Sequence, residues 1–259
     1  MAERIELYPL GIGDYRASRL WHNSFALHVD GSVYVIDCPK RIEAMLQDNH
    51  TRGEWPLTLA DYRVVLLTHL HRDHAGGLVE LVQSGAINPA RPMRLYAPPV
   101  LLDQLWVAER VPGIITAASF PGGIVDLNRF FQPMPIDDLH EFCDFHLSYR
   151  LTQHIPNTFA YRFDFGNFRL GYSADSAYDP DLIQWLDGCD AVLHEVLVPP
   201  GASDEVLQTL HTPLSRLLSL PVAFQQKTFL CHVDENTYLE HDPGMYRYLE
   251  QHRIYCLKC

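Results

Sequence analysis

Thr68-His69-Leu70-His71-Arg72-Asp73-His74-Ala75-Gly76-Gly77 carries three histidines and a carboxylate in six consecutive positions. It follows Arg63-Val64-Val65-Leu66-Leu67, whose unbroken aliphatic and β-branched run predicts a short buried strand. Residues two apart on extended backbone point to one side, so His69 and His71 can share a centre. Asp73 and His74 are adjacent, cannot share that direction, and suit a second centre beside the first. Gly76 and Gly77 let the chain turn tightly over such a cluster. Imidazole and carboxylate are ligands for zinc, and also for manganese or iron. Four such side chains directly after a buried strand argue against a merely solvated loop.

The stretch resembles the His-x-His-x-Asp-His signature of the metallo-β-lactamase fold hydrolases. That resemblance implies an α/β chain folded as an αββα four-layer sandwich, two facing sheets with helices outside. The run of strands divides into two similar halves, about 1–110 and 140–259, within one domain spanning 1–259.

At 259 residues and 47% hydrophobic, the chain can bury a large core. No apolar run has the length of a membrane span, and the start, Met1-Ala2-Glu3-Arg4-Ile5-Glu6, lacks the basic and apolar regions of a signal peptide. A cytoplasmic protein with reduced thiols is expected. Cys256 and Cys259 form a terminal C-x-x-C, too little for a closed zinc site. A net charge of −12 disfavours a large nucleic-acid partner, which needs basic surface to displace counterions.

In chain order, strands are expected at 5–10, 24–29, 33–39, 63–67, 94–97, 145–154, 159–165, 168–173, 191–195 and 227–232. Helices are expected at 40–48, 78–84, 98–110, 180–187, 203–209 and 212–219, the last with Thr212 as N-cap and Pro213 at N1. Residues 111–140 are punctuated by Pro and Gly, with a turn at Phe120-Pro121-Gly122-Gly123; Phe130 and Phe131 read as core. Gly11-Ile12-Gly13 is no dinucleotide site, since no third glycine or helix follows. It resembles the first loop of the hydrolase family, which bends under the metal site.

Polar ligand types end five strands: His69/His71, His154, Asp175, Glu195 and His232. By resemblance, His69, His71 and His154 hold one metal, Asp73, His74 and His232 the other, and Asp175 bridges them. His140 and His146 compete with His154, whose flanking segment Leu151–Phe163 resembles the family throughout. Asp37, ending a strand, matches a family carboxylate that orients a metal-bound histidine. The cofactor is then two divalent ions, zinc foremost with manganese the alternative. They clamp a substrate oxygen and lower the pKa of a bridging water to make the nucleophilic hydroxide. Asp73 both binds metal and accepts the proton.

Asp190-Ala191-Val192-Leu193-His194-Glu195 and Leu210-His211-Thr212-Pro213 resemble elements of ribonuclease Z-like phosphodiesterases. There the carboxylate supports a histidine that protonates the leaving alkoxide, so Glu195 and His211 form that pair, with Asp73 completing the catalytic set. Ribonuclease Z proper carries a transfer-RNA-binding arm between the segments matching His154 and Asp175, where this chain has room for one hairpin. A small phosphodiester, a cyclic nucleotide, is the expected substrate, with no transfer RNA, no membrane partner and a homodimeric assembly carried over from the branch. Arg16, Arg19, Asn23 and Tyr161 are candidates to touch phosphate or base. The rival readings are hydrolysis of a lactone, thioester, sulfate ester or β-lactam on the same centre, and a regulator that keeps the fold without turnover. A diiron oxidoreductase is disfavoured because that branch has an acidic residue where His71 stands.

Overall fold

Burial on both faces decides which runs become inner strands. In a computed structural model, which describes residues 2–53, 57–110, 127–196, 209–235 and 240–258, the first run is β1 (Ile5–Gly11), buried along its whole length. β2 (Ser24–Val29) and β3 (Ser32–Ile36) complete an antiparallel meander with it. Then come α1 (Ile42–Gly53), β4 (Val64–Leu66), α2 (Arg72–Ala75), α3 (Gly77–Gln83), β5 (Met93–Ala97), α4 (Pro99–Arg110) and β6 (Phe131–Pro135). The second half repeats the scheme with β7 (Leu139–Glu141), β8 (His146–Leu151), β9 (Phe159–Asp164), β10 (Arg169–Tyr172), α5 (Pro180–Asp187), β11 (Ala191–Glu195), α6 (Leu214–Leu218), α7 (Val222–Gln226), β12 (Thr228–Cys231) and β13 (Arg247–Tyr248). β14 (Tyr255–Lys258) closes the chain.

The sheets have the orders β14-β1-β2-β3-β4-β5-β6 and β13-β12-β11-β10-β9-β8-β7. Each runs through antiparallel pairs and then parallel ones: β3 to β6 are parallel in the first, β10 to β13 in the second. Parallel strands need helical crossovers, so helices cover the outer faces and the apolar inner faces meet, giving the expected αββα sandwich. Phe145 sits in that seam, its ring 4.8 Å from Tyr34 and 5.5 Å from Phe163. Among the described residues no helix is long and apolar enough to cross a membrane.

Several boundaries differ from expectation for physical reasons. α1 runs to Gly53 rather than 48, because buried Asn49 donates to Met45 O at 2.9 Å and Leu10 O at 2.8 Å, which satisfies a polar residue inside the helix. α6 is capped by Pro213 rather than Thr212, whose hydroxyl instead donates to Ser176 O at 2.8 Å. β6 was not expected, since Pro133 and Pro135 argue against a strand; it lies at a sheet edge, where a missing amide is tolerated. The expected helix 203–209 falls, save its last residue, outside the described residues, as does the turn at Phe120-Pro121-Gly122-Gly123. Cys38, Cys143, Cys189 and Cys231 are free thiols as expected, but Cys256, on β14, is disulfide-bonded, which corrects the expectation there.

The metal-motif loop is fastened under β3: Cys38 N donates to His74 O at 2.6 Å and Gly77 N to Cys38 O at 2.8 Å. A Cβ on Gly77 would stand 2.3 Å from Pro39 O, a backbone atom that cannot swing aside. Gly→Ala in a helix ordinarily gains about 0.5–1 kcal/mol. Here the clash should reverse the sign, and Gly77→Ala should destabilise by about 1–3 kcal/mol in urea denaturation. An unchanged midpoint would show that the loop is not held against β3.

Candidate metal centre

Four strand ends meet in one buried place. β4 delivers His69 and then His71, the N-cap of α2, whose single turn carries Asp73 and His74 inward. The loop between β8 and β9 brings His154, β10 leads to Asp175, and β12 leads to His232. Three non-glycine residues at strand ends around the site, Asp37 after β3 (φ 63°), Ala174 after β10 (φ 49°) and His232 after β12 (φ 52°), take left-handed backbone. Each costs about 1 kcal/mol or more and turns a strand end toward the pocket. The Gly13 loop lies beneath, as expected, with Val233 N donating to Ile12 O at 2.8 Å and Asp14 N to Val233 O at 3.0 Å.

Asp175 stands between two sets of imidazoles. Its Oδ2 lies 3.7 Å from His69 Nε2, 3.9 Å from His154 Nε2 and 3.4 Å from His232 Nε2, while Oδ1 is 3.5 Å from His74 Nε2. Asp73 Oδ2 lies 3.7 Å from His74 Nε2 and 3.5 Å from His232 Nε2. His71 Nδ1 faces His154 Nε2 at 3.4 Å. The seven expected ligands therefore converge as His69, His71, His154 and Asp175 on one side and Asp73, His74 and His232 on the other. His140 meets Tyr96 and Phe142 edge-on, and exposed His146 pairs with Glu141, so neither belongs to the centre.

The ring tautomers follow from the hydrogen bonds behind them. Asp37 accepts the Thr68 amide and hydroxyl, both at 2.8 Å, and His74 Nδ1–H at 2.8 Å. The Thr68 hydroxyl spends its proton on Asp37, so toward His69 Nδ1, 3.0 Å away, it can only accept. His154 Nδ1 donates to Leu210 O at 2.8 Å. With Nδ1 engaged behind it, each of the three rings turns its Nε2 toward the centre. Among the described residues, His69 Nε2, His74 Nε2, both His232 ring nitrogens and Asp175 Oδ1 are buried without a hydrogen-bond partner. Leaving such atoms unpaired costs about 1–3 kcal/mol each, and a nitrogen and carboxylate donor set is what divalent cations satisfy. The residues fit divalent metal.

Electrostatics separates the two sides. Burial pushes His69 well below the usual histidine value and lowers His71 and His154, keeping them neutral. Burial also opposes charge on His74 and His232, but Asp175, with Asp73 beside it, outweighs it and raises them to about 9 and about 10. Asp73 is buried too, yet His74 and His232 hold its carboxyl well below the usual range. Burial raises Asp37 against the pull of His74 and Thr68.

Glu195 and His211 meet as expected. His211 Nδ1 lies 3.2 and 3.3 Å from the two Glu195 oxygens, and Oε1 also accepts Ser176 N at 2.8 Å. Burial lowers the His211 pKa, Glu195 raises it more, and the result stands above the ordinary value. The His211 ring stacks on His232 at 5.5 Å, joining Asp175 and His232 in a third group.

Of the other candidates, Tyr161 OH donates to Leu67 O from within the core and Asn23 Nδ2 donates to Tyr172 OH, so both are structural. Arg16 is spent on Asp14 and Asp234. Sequence reading missed three participants: Thr68, the Leu210 carbonyl and His22. Burial takes His22 down to about 4, and it stands within electrostatic reach of Asp73, Lys40, His74 and His232. No spacing flags it; the bridges of Gly13 to both His22 and Val233 bring it there.

A family model described as Anti-Pycsar protein Apyc1 matches residues 5–255. A protein of that name from Paenibacillus sp. (strain J14) is 31% identical over 99% of this chain and 100% of its own. A cGMP-dependent 3′,5′-cGMP phosphodiesterase A from Dictyostelium discoideum is 24% identical over 82% of this chain and 24% of its own. The crystal structure of the metallo-beta-lactamase fold protein YhfI from Bacillus subtilis superposes with a TM-score of 0.72 at 12% identity, covering 98% of this chain and 99% of that one. The sandwich is therefore that of the metallo-β-lactamase fold.

Removing the acceptor behind two imidazoles should loosen metal without touching a ligand. Asp37→Ala should weaken divalent-metal affinity about 10- to 100-fold in competition with a chromophoric chelator. Thr68→Val, which frees only His69, should weaken it less. Equal wild-type affinity in both variants would remove the orienting role of Asp37.

Proposed function

The chain belongs to the anti-Pycsar Apyc1 family, and from that premise we propose that it is a dinuclear-metal phosphodiesterase opening a cyclic nucleotide. It is a metal-dependent hydrolase, and the likeness to a 3′,5′-cGMP phosphodiesterase supports the cyclic substrate. The observation that carries the reading is Asp175, whose carboxylate lies within 3.4–3.9 Å of imidazoles from both sides of the centre. Two ions, zinc foremost and manganese the alternative, would be held by His69, His71 and His154, and by Asp73, His74 and His232, with Asp175 shared. Once bound they supply positive charge to the phosphate oxygens and a water of lowered pKa.

The chain's own groups handle the protons. Asp73, ionised throughout the neutral range, takes the proton of the attacking water. The water oxygen joins phosphorus and one ring P–O bond breaks. His211, with Nδ1 against Glu195, gives its Nε2 proton to the departing alkoxide, and the product is a linear monophosphate. Glu195 keeps that imidazole oriented and its acid form populated. Between His154 and Asp175 the described chain forms the β9–β10 hairpin, which supports a small substrate and no transfer RNA. A cytoplasmic homodimer completes the reading; sedimentation of the purified protein tests the assembly.

His211→Ala should slow hydrolysis of a 3′,5′-cyclic nucleotide by about 10²–10⁴-fold. Bis-p-nitrophenyl phosphate, whose phenolate leaves without a proton, should lose far less, at unchanged metal content. Equal losses on both would reassign His211 to metal binding. In the pH profile, activity falls as pH rises through the His211 pKa. Glu195 raises that pKa, so Glu195→Gln should move the alkaline limb to lower pH; an unmoved limb would sever the pair.

A further inference from the structure

A cavity of about 460 Å³ opens beside the centre, with His22 in its wall. Two backbone contacts tie that wall to the centre: Gly13 bridges both His22 and Val233, the residue after His232, and Lys40 N donates to the carbonyl of Arg72, between His71 and Asp73, at 3.3 Å. The chain carries net charge −12 with 20 Lys and Arg, and four of these, Arg19, Lys40, Arg41 and Arg52, line this cavity.

The acids nearby are already engaged. Asp48 pairs with Arg52 at 2.8 Å and accepts Trp21 Nε1–H at 2.7 Å. Glu235 accepts Ser18 N at 2.7 Å and the Arg19 amide. Among the described residues Lys40 and Arg41 have no carboxylate on their side chains. Arg41 adopts left-handed backbone (φ 63°), its amide bonded to Glu80, and its guanidinium lies 4.8 Å from the centre of the Trp21 ring. A flat fork laid on an aromatic face keeps its edge N–H groups for an anion, and two unpaired cations in a walled cavity concentrate positive potential.

We propose that this cavity is a second phosphate subsite, next to the hydrolytic centre and separate from the ester that is cleaved. The phosphate is carried either by the substrate, as in a cyclic dinucleotide, or by free phosphate. The proposal rests on the phosphodiesterase reading for its first source and stands without it for the second.

The test uses the metal-loaded protein and the Lys40→Gln/Arg41→Gln double variant, with cyclic di-GMP, cGMP and inorganic phosphate as probes. If the substrate brings the phosphate, the ratio of kcat/KM for cyclic di-GMP over cGMP falls about tenfold or more, the size of a lost charge-assisted contact. If the phosphate is free, that ratio holds and the calorimetric Kd for inorganic phosphate weakens about tenfold instead. Lys40→Arg with Arg41→Lys should restore whichever signal is lost. Ratio and Kd both unchanged would overturn the proposal and leave a solvated basic rim. Should the double variant fail to fold, Lys40→Gln and Arg41→Gln made singly read the same quantities. A wild type inert toward cGMP would instead sink the phosphodiesterase reading, with the phosphate titration still deciding the subsite.

Discussion

One buried carboxylate holds the arrangement together. Asp37 takes three donors, the Thr68 amide, the Thr68 hydroxyl and His74 Nδ1. Through the hydroxyl it also sets the proton of His69. A single acceptor at the end of β3 thus aims two imidazoles of the neighbouring loop, whose lone pairs would otherwise be free to rotate away. The left-handed backbone at Asp37 is the cost of placing that carboxylate under the loop instead of out along the strand.

Charge balance follows from that placement. Asp73 and Asp175 lie buried among imidazoles, and buried carboxylates need compensating positive charge. His69, His71 and His154 are pushed toward neutrality, whereas His74 and His232 are pulled toward protonation by the two acids. Protons and divalent cations compete for the same acids, so metal binding to this cluster releases protons. The segment carrying His211 ties two parts of the site together: its Leu210 carbonyl orients His154, and the next residue faces Glu195. A displacement of this segment therefore shifts both contacts at once.

The motif from His69 to His74 and the strand runs around it were legible without coordinates, because ligand spacing and hydrophobic periodicity are local properties of a chain. The pairing of Glu195 with His211 was legible only through resemblance, since nothing local links residues on separate elements. The paired sheets were read in outline, but β6, β7, β13 and β14 were not. β6 carries prolines tolerable only at an edge, and β14 is a strand because β1 offers it an unpaired side.

What the sequence determined by itself was the inventory: metal-capable residues at successive strand ends, and apolar runs able to bury them. What only the tertiary structure decided was orientation. Which ring nitrogen keeps its lone pair depends on Thr68 and on a backbone carbonyl at Leu210, and Gly13, bridging two distant segments, sets His22 against the strand end that carries His232. Such contacts are set by where the sheets bring remote backbone together, and the periodicity of the chain carries no record of that.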